Sequence, residues 1–137
     1  MQYALLIYSK PGAAEALGED EQEAVHREYM ALRDLPEMTG GAALHPVETA
    51  TTVRVQDDQV LITDGPFADT KEIFAGFYLL QADDLDQATE IAARIPAARL
   101  GGSVEIRPVV TGQSCPVTRE QRLTRSSGTS GAGCWPR

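Results

Sequence analysis

The sequence predicts an α+β domain with element order β-α-β-β-α-β, the ferredoxin-like pattern. Two segments with helical spacing of apolar residues alternate with short apolar segments that have strand spacing. Gly and Pro residues separate these segments, as expected for turns. With 137 residues, 42% of them hydrophobic, the chain is long enough for one domain with a core. We place that domain at residues 1–110 and expect residues 111–137 to form a flexible, basic tail rich in Ser, Thr and Gly.

The first strand and the first helix follow from two different periodicities. Gln2 to Tyr8 alternates as a strand does, and both of its faces are apolar. Glu19 to about Leu35 is predicted to be a helix, because its acidic first turn suits the positive end of the helix dipole and Pro36 bounds it. The apolar stripe of this helix should face the core through Val25, Tyr29 and Leu32.

A short strand and a hairpin are expected next. The strand is predicted over Ala42 to Val47, after two glycines. Thr52–Gln56 and Gln59–Thr63 flank the two-residue loop Asp57-Asp58, which is typical of a β-hairpin. That loop length places four apolar side chains on one face, in the pairs Val55 with Val60 and Val53 with Ile62.

The remaining elements are a long strand, a helix and a last strand. Ile73 to Leu80 is an unbroken apolar run, typical of a strand buried on both faces. Asp83 or Asp84 should cap the following helix, which Pro96 ends. Its predicted apolar stripe consists of Leu85, Ala88, Ile91, Ala92 and Ile95. A last strand is expected over Ser103 to Val110, with Val104, Ile106 and Pro108 inward.

Two helices can cover only one face of such a sheet, yet the first and the long strand are apolar on both faces. A second copy of the chain is the simplest cover for the other face. The sequence therefore predicts a homodimer through the sheet faces. Phe74 or Tyr78 should lie in the interface, according to which set of alternating residues of the long strand faces outward.

Charge and cysteine content exclude several classes of function. The net charge of −8 and the pI of about 4.7 argue against nucleic acid and against anionic membranes as partners. No apolar run approaches the roughly 18 residues of a membrane span. The start of the chain does not resemble a signal peptide, and two cysteines, Cys115 and Cys134, do not make a disulfide scaffold. We therefore expect a cytoplasmic location.

Five segments carry a specific resemblance. These are Thr51–Val55, Asp64–Glu72 with its Asp-Gly-Pro-Phe turn, Gly76–Leu79, Asp84–Ala88 and Val104–Val109. In order and spacing they resemble the YCII-related family, in particular its DGPF branch. The resemblance covers about residues 1–110 and implies a dimeric α+β barrel in which two ferredoxin-like sheets pack face to face.

The resemblance leaves two classes of function open. A few relatives are enzymes that act on small cyclic compounds, using a His-Asp pair, whereas most members have no established activity. Some members accompany extracytoplasmic-function sigma factors of bacteria. The chain is thus expected to be a cofactor-independent enzyme for a small cyclic or enolic metabolite. The alternative is a non-catalytic small-molecule-binding or accessory protein linked to such a sigma factor.

His26 and Asp64 are the candidate catalytic residues. A histidine oriented by a carboxylate is an effective general base near neutral pH, and the two groups should approach to about 2.6–3.2 Å. The pair could form within one chain or across the dimer. Otherwise His26 is a surface residue between Glu23 and Arg27, and Asp64 forms an Asx turn.

Other polar residues have weaker functional interpretations. Phe67 either walls a pocket or packs, and packing is favoured. Lys71 and Glu72 could bind a substrate carboxylate or pair with each other on the surface. His45 precedes a proline and is expected to be exposed. Motifs for metal, nucleotide or serine-hydrolase sites are absent from the sequence, so no metal and no cofactor are predicted.

Overall fold

The computed structural model describes residues 1–66 and 70–110. The predictions for Phe67 and for the tail at 111–137 concern residues outside these ranges. Helices pack on one face of a four-stranded sheet. The elements are β1 (Gln2–Ser9), α1 (Glu19–Arg33), β2 (Met38–Ala43), a 3-10 turn (Val47–Thr49), β3 (Thr51–Gln56), β4 (Gln59–Asp64), β5 (Ile73–Gln81), α2 (Leu85–Ala93), α3 (Pro96–Arg99) and β6 (Ser103–Pro108).

The sheet confirms the predicted fold class. Its strand order is β2-β5-β1-β6, and every neighbouring pair is antiparallel. Together with α1 and α2 these strands follow the order β-α-β-β-α-β, which is the ferredoxin-like arrangement. The hairpin β3–β4 is inserted between the second and third of these strands and forms a separate two-stranded sheet.

The core lies between the sheet and the helices. Tyr3, Leu5 and Ile7 of β1 are buried, whereas the residues between them are only half-buried. Leu5 pairs with Tyr78 on β5 and with Ile106 on β6, so these residues share the face covered by the helices. The largest side chains that are fully buried in this layer belong to Leu5, Leu32, Leu80, Ile95 and Pro96.

The opposite face of the sheet, here called the open face, is not covered by the helices. It is largely apolar along β1 and β5, whereas β6 adds the charged residues Glu105, beside Leu6, and Arg107, beside Ala4. Register places Leu6 beside Phe77 and Tyr8 beside Phe74, and the last two rings lie 5.5 Å apart. Phe74 is 39% exposed. Tyr78 instead points toward α1. Of the two residues considered for the interface, Phe74 is therefore the one on the open face.

The hairpin has the predicted register. Val55 pairs with Val60 and Val53 pairs with Ile62, and the loop residues Asp57 and Asp58 both have positive φ, at 51° and 62°. Two positive φ angles are the signature of the turn that matches the twist of a two-residue hairpin. The four aliphatic side chains on the shared face are exposed.

The second strand was predicted in the wrong place. It covers Met38–Ala43, not Ala42 to Val47, because its glycines are part of the strand. Gly41 has a φ of 151°, and a Cβ there would lie 2.5 Å from the carbonyl oxygen of Phe77. The close backbone approach in β2 thus requires glycine, which is a known reason for glycine inside a strand.

Several other boundaries also differ from the predictions. α1 ends at Arg33, and β6 ends at Pro108. Leu85 is 54% exposed, because α2 covers the sheet only from Ala88 onward. α2 ends at Ala93, before Pro96, and Pro96 instead begins α3, where its missing N–H costs no hydrogen bond. The predicted cap is confirmed at Asp84, whose side chain accepts from the backbone N–H of Gln87 at 2.8 Å.

Candidate functional site

A cleft of about 1160 Å³ lies between α1 and the β2–β5 edge of the sheet, and we call it the α1 cleft. It exists because three positions of the strands opposite α1 carry little or no side-chain volume. Gly41 and Ala43 of β2 and Gly76 of β5 share the face that α1 covers. At Gly76 a Cβ would lie 2.6 Å from the carbonyl oxygen of Ala42, so the backbones are as close as they can be. The space that larger residues would fill is left open.

The wall formed by α1 combines apolar and polar groups. His26, Tyr29 and Arg33 follow one another along this wall, and Val25 and Met30 add apolar surface to it. Their spacing of three, four and seven residues keeps them on one face of the helix. His26 is exposed, so its imidazole is accessible from the cleft. The α1 wall therefore presents an imidazole and a guanidinium about two helical turns apart.

The loops at the mouth of the cleft add charges of both signs. Lys10 and Glu15 come from the segment after β1, and His45 and Glu48 come from the segment after β2. His45 is exposed, as predicted. The mouth therefore balances acidic with basic groups, although the chain as a whole carries a net charge of −8.

Two tyrosines connect α1 to its surroundings. The hydroxyl of Tyr78 donates to the backbone oxygen of Tyr29 at 3.1 Å. Burial raises the pKa of Tyr78, with a further rise from Tyr29 and an opposing effect of Arg33. Burial also raises the pKa of Tyr29, against a hydrogen bond with the backbone of Ala97. Both phenols are therefore neutral hydrogen-bond donors at neutral pH.

Further polar contacts fix the position of α1. Both terminal nitrogens of Arg99 on α3 donate to the Glu28 carboxylate, at 2.7 and 2.8 Å. This hydrogen bonding lowers the pKa of Glu28. At the other end of α1, the Gln22 amide donates to the backbone oxygens of Ala14 and Leu17, both at 3.0 Å. The wall of the cleft is thus tied to α3 and to the loop at the mouth.

The two predicted catalytic residues lie in different parts of the fold. His26 lines the α1 cleft, whereas Asp64 is the exposed last residue of β4. The pair was expected to form because the hairpin that ends at Asp64 should belong to the sheet on which α1 packs, and this expectation is wrong: the hairpin forms a separate sheet. Within the described residues, Asp64 is not part of the cleft lining. The His26–Asp64 pair therefore stays a prediction.

The turn after β4 is held by backbone bonds. Gly65 donates its N–H to the oxygen of Ala50 at 2.7 Å, and its own oxygen accepts from the Thr52 hydroxyl at 2.8 Å. Nothing within 1–66 and 70–110 donates a hydrogen bond to the Asp64 carboxylate. Pro66 has no N–H, so the donor of an Asx turn at Asp64 would come from residues beyond 66 that lie outside the described ranges, and the Asx turn stays a prediction.

Glu72 has a different partner from the one considered. Its carboxylate accepts from the Ser103 hydroxyl at 2.6 Å, which ties the segment before β5 to the start of β6. In the ranges that the structure describes, no ion pair joins Lys71 to Glu72. A structural role for Glu72 fits this contact.

Sequence reasoning missed Arg33 and Tyr78 as residues of the site. The available signals were the small residues of β2 (Thr39 to Ala43), which leave space opposite a helix, and the seven-residue spacing from His26 to Arg33. Neither signal can be interpreted without knowing which strand lies opposite α1.

Neither a metal-binding cluster nor a membrane-spanning helix is found in the described residues. Residues 1–66 and 70–110 contain no group of three or more His, Cys, Asp or Glu side chains placed to hold a metal ion. Over the same residues, no helix has the length and apolar character needed to cross a membrane.

The fold and the cleft define a ferredoxin-like α+β protein with a cavity of ligand size. The family model of the YCII-related domain matches residues 1–112, so the chain belongs to that family, and the predicted resemblance is confirmed. The uncharacterized protein R00369 of Rhizobium meliloti (strain 1021) is 34% identical over 114 residues, which cover 80% of this chain and 92% of that protein.

A solved structure is similar at a greater distance. It is a 5-chloro-2-hydroxyhydroquinone dehydrochlorinase from Burkholderia phenoliruptrix AC1100 in complex with 2,5-dihydroxybenzoquinone. The two chains are 15% identical, with a TM-score of 0.47 and coverage of 82% of this chain and 97% of that one. At this distance the similarity carries no argument about function.

Proposed function

We propose that the protein binds a small organic molecule in the α1 cleft. The observation that carries the proposal is the cleft itself, about 1160 Å³ in volume and lined by apolar side chains with a few convergent polar groups. Binding sites for small molecules typically have this composition. Val25 and Met30 supply apolar surface, while His26 and Arg33 supply polar contacts.

The finer proposal is a cofactor-independent acid–base reaction on a small cyclic or enolic metabolite. In it, the His26 imidazole accepts a proton from the substrate carbon next to a carbonyl group, so that an enolate and an imidazolium form. Return of that proton to another atom of the substrate restores the neutral imidazole and completes an isomerisation. Asp64 would orient the ring, either from the same chain or from a second copy.

The setting proposed for this activity is a cytoplasmic homodimer. The open face supports the dimer, because Leu6, Phe74 and Phe77 present apolar surface that the helices do not cover. The low cysteine content supports the reducing compartment.

A second candidate is a binding protein without catalysis, which could serve as an accessory to a sigma factor. The location of Asp64 in a different sheet supports this candidate, because sheet pairing does not bring its carboxylate to the α1 cleft that His26 lines. Both candidates use the α1 cleft, and they differ in what His26 does.

Neutral ring compounds test the cleft. We expect phenol and cyclohexanone to raise the melting temperature of the protein, since a ligand that binds only the folded state stabilises it by mass action. Ala43→Leu fills the cleft and should abolish this rise. Ala24→Leu, at an exposed position of α1 outside the cleft, is the control and should retain it. No rise in wild type, or an equal rise in Ala43→Leu, would contradict the proposal.

His26→Gln separates the two candidates. In the catalytic case the wild type accelerates deuterium exchange at the α-carbons of cyclohexanone, measured by NMR, and His26→Gln loses the acceleration but keeps the thermal shift. In the binding case neither protein accelerates the exchange.

A further inference from the structure

We propose that Arg33 anchors a carboxylate of the ligand, so that the α1 cleft selects apolar monocarboxylates over their neutral analogues. This inference rests on the proposed function, because it names the ligand class of the same cleft. It assigns a binding role to a residue that the catalytic prediction did not include.

The guanidinium of Arg33 has unused binding capacity. In the described part of the chain its one ion pair joins Nε to Asp34 Oδ1 at 3.7 Å, beyond hydrogen-bond distance, and its side chain makes no hydrogen bond. Both side chains are well exposed, at 63% and 71%. Arg99 is the contrast, since two of its nitrogens donate to Glu28. The planar guanidinium of Arg33 can therefore donate hydrogen bonds to a carboxylate without losing a strong partner.

The surroundings of Arg33 favour a carboxylate on an apolar body. Met30 and Met38 line the cleft near it, and the Tyr78 hydroxyl lies on the same side of the sheet. A guanidinium binds a carboxylate through two parallel hydrogen bonds. A phosphate requires more positive charge than the cleft carries. Apart from Arg33, the cleft is lined by the cation Lys10, and the carboxylates of Glu15 and Glu48 oppose its charge.

The separation of His26 and Arg33 along α1 sets the expected length of the ligand. Arg33 follows His26 by seven residues, which is a rise of about 10 Å on an α-helix. Tyr29 and Met30 lie between them on the same wall. A ligand with its carboxylate at Arg33 therefore brings its opposite end toward the imidazole. An aromatic or alicyclic ring on a short acid chain has this length.

The test measures binding of 3-phenylpropionate and of its neutral analogue 3-phenylpropanamide by NMR titration. We expect the acid to bind wild type more tightly than the amide, and Arg33→Gln to weaken the acid by about tenfold without changing the amide. Arg33→Lys keeps the positive charge but not the two parallel N–H donors of the guanidinium, so the affinity of this variant for the acid should be intermediate. Acid binding to wild type should also weaken with added salt, whereas amide binding should not.

Arg27→Gln is the matched control. Arg27 lies on the same helix, outside the cleft, and pairs with Glu23 at 3.9 Å. Its removal changes the net charge by the same amount and should leave acid binding unchanged. An equal loss in both variants would show a general charge effect and would overturn the role of Arg33.

The remaining outcomes separate this inference from the proposed function. Equal affinity of Arg33→Gln and wild type for the acid overturns the inference. If Ala43→Leu then abolishes binding of both compounds, the cleft is still the binding site. If neither compound binds wild type while phenol raises its melting temperature, the ligand class is wrong and the proposed function stands. If none of the compounds binds, both fail.

Discussion

At the scale of single residues, the position of α1, which forms one wall of the cleft, is fixed by the pair of hydrogen bonds from Arg99 to Glu28. This contact joins α1 to α3 over a long stretch of sequence and forms without burial of either charge. Exposed ion pairs contribute little to stability in general, but two parallel bonds are the favourable geometry. The contact serves mainly to fix α1, and with it the side of the cleft that carries His26.

Glu28→Gln should lower the melting temperature at pH 7 by a few degrees at most. The bond to Arg99 lowers the pKa of Glu28 from its ordinary value of 4.5. A lowered pKa means that the stabilisation is fully present above pH 4.5 and is lost as the pH falls through the lowered value. The difference between the variant and wild type, followed by thermal unfolding, should therefore shrink below pH 4.5.

Glu23→Gln is the control for this prediction, because the distance from Glu23 to Arg27 is 3.9 Å and their pair is exposed. It should change the melting temperature less at every pH. A difference between Glu28→Gln and wild type that is the same at pH 7 and at pH 2 would contradict the role given to the ionised carboxylate.

At the scale of elements, the pairing of β2 with β5 decides that a cleft exists. The two backbones approach so closely that Gly41 and Gly76 have no room for a Cβ. The same small residues leave the volume under α1 unfilled. Close packing elsewhere in the layer, as at Leu5 and Leu80, shows that the space is local to this edge.

Gly41→Ala and Gly76→Ala should each lower the free energy of unfolding by about 2 kcal/mol or more. The added Cβ would lie 2.5 Å and 2.6 Å, respectively, from a backbone oxygen of the neighbouring strand, which cannot move like a side chain. Gly18→Ala is the control, because Gly18 has a φ of −67° and no atom within 4 Å of the added Cβ. Urea unfolding measures all three, and a neutral Gly41→Ala would contradict the close approach.

At the scale of the whole molecule, the open face and the hairpin are the surfaces that the fold leaves uncovered. Large apolar side chains such as Phe74 and Ile62 are exposed there. Each such side chain removed from water contributes roughly 1.5–3 kcal/mol to an assembly. A second copy packed on the open face is the arrangement predicted from the two-faced strands, and it would cover the exposed ring of Phe74.

The protein should be a dimer at micromolar concentration by light scattering, and Phe74→Asp should make it monomeric. A charge on the open face cannot be buried in an interface without a large desolvation cost. Leu85→Asp is the control, since Leu85 is exposed on α2, in the layer on the other side of the sheet. Unchanged circular dichroism would show that the variant still folds. A wild-type monomer would overturn the dimer.

The sequence by itself determined the elements whose signals are local. The hairpin register followed from a two-residue loop and an alternating pattern within twelve residues, Thr52 to Thr63, and the structure has the same pairs. The cap at Asp84 and the buried stripe from Ala88 to Ile95 followed from helical spacing. The order of elements then restricted the topology, and the family resemblance agreed with it.

Only the tertiary structure decided what depends on pairs of residues far apart in the chain. Gly41 belongs to a strand because it pairs with Tyr78, and Phe74, not Tyr78, faces outward because of the register with β1. The α1 cleft arises where a helix lies opposite small residues of another element, so the place of Arg33 in the cleft lining depends on long-range packing. Periodicity fixes which residues share a face of one element, but the long-range packing of elements fixes which face is covered.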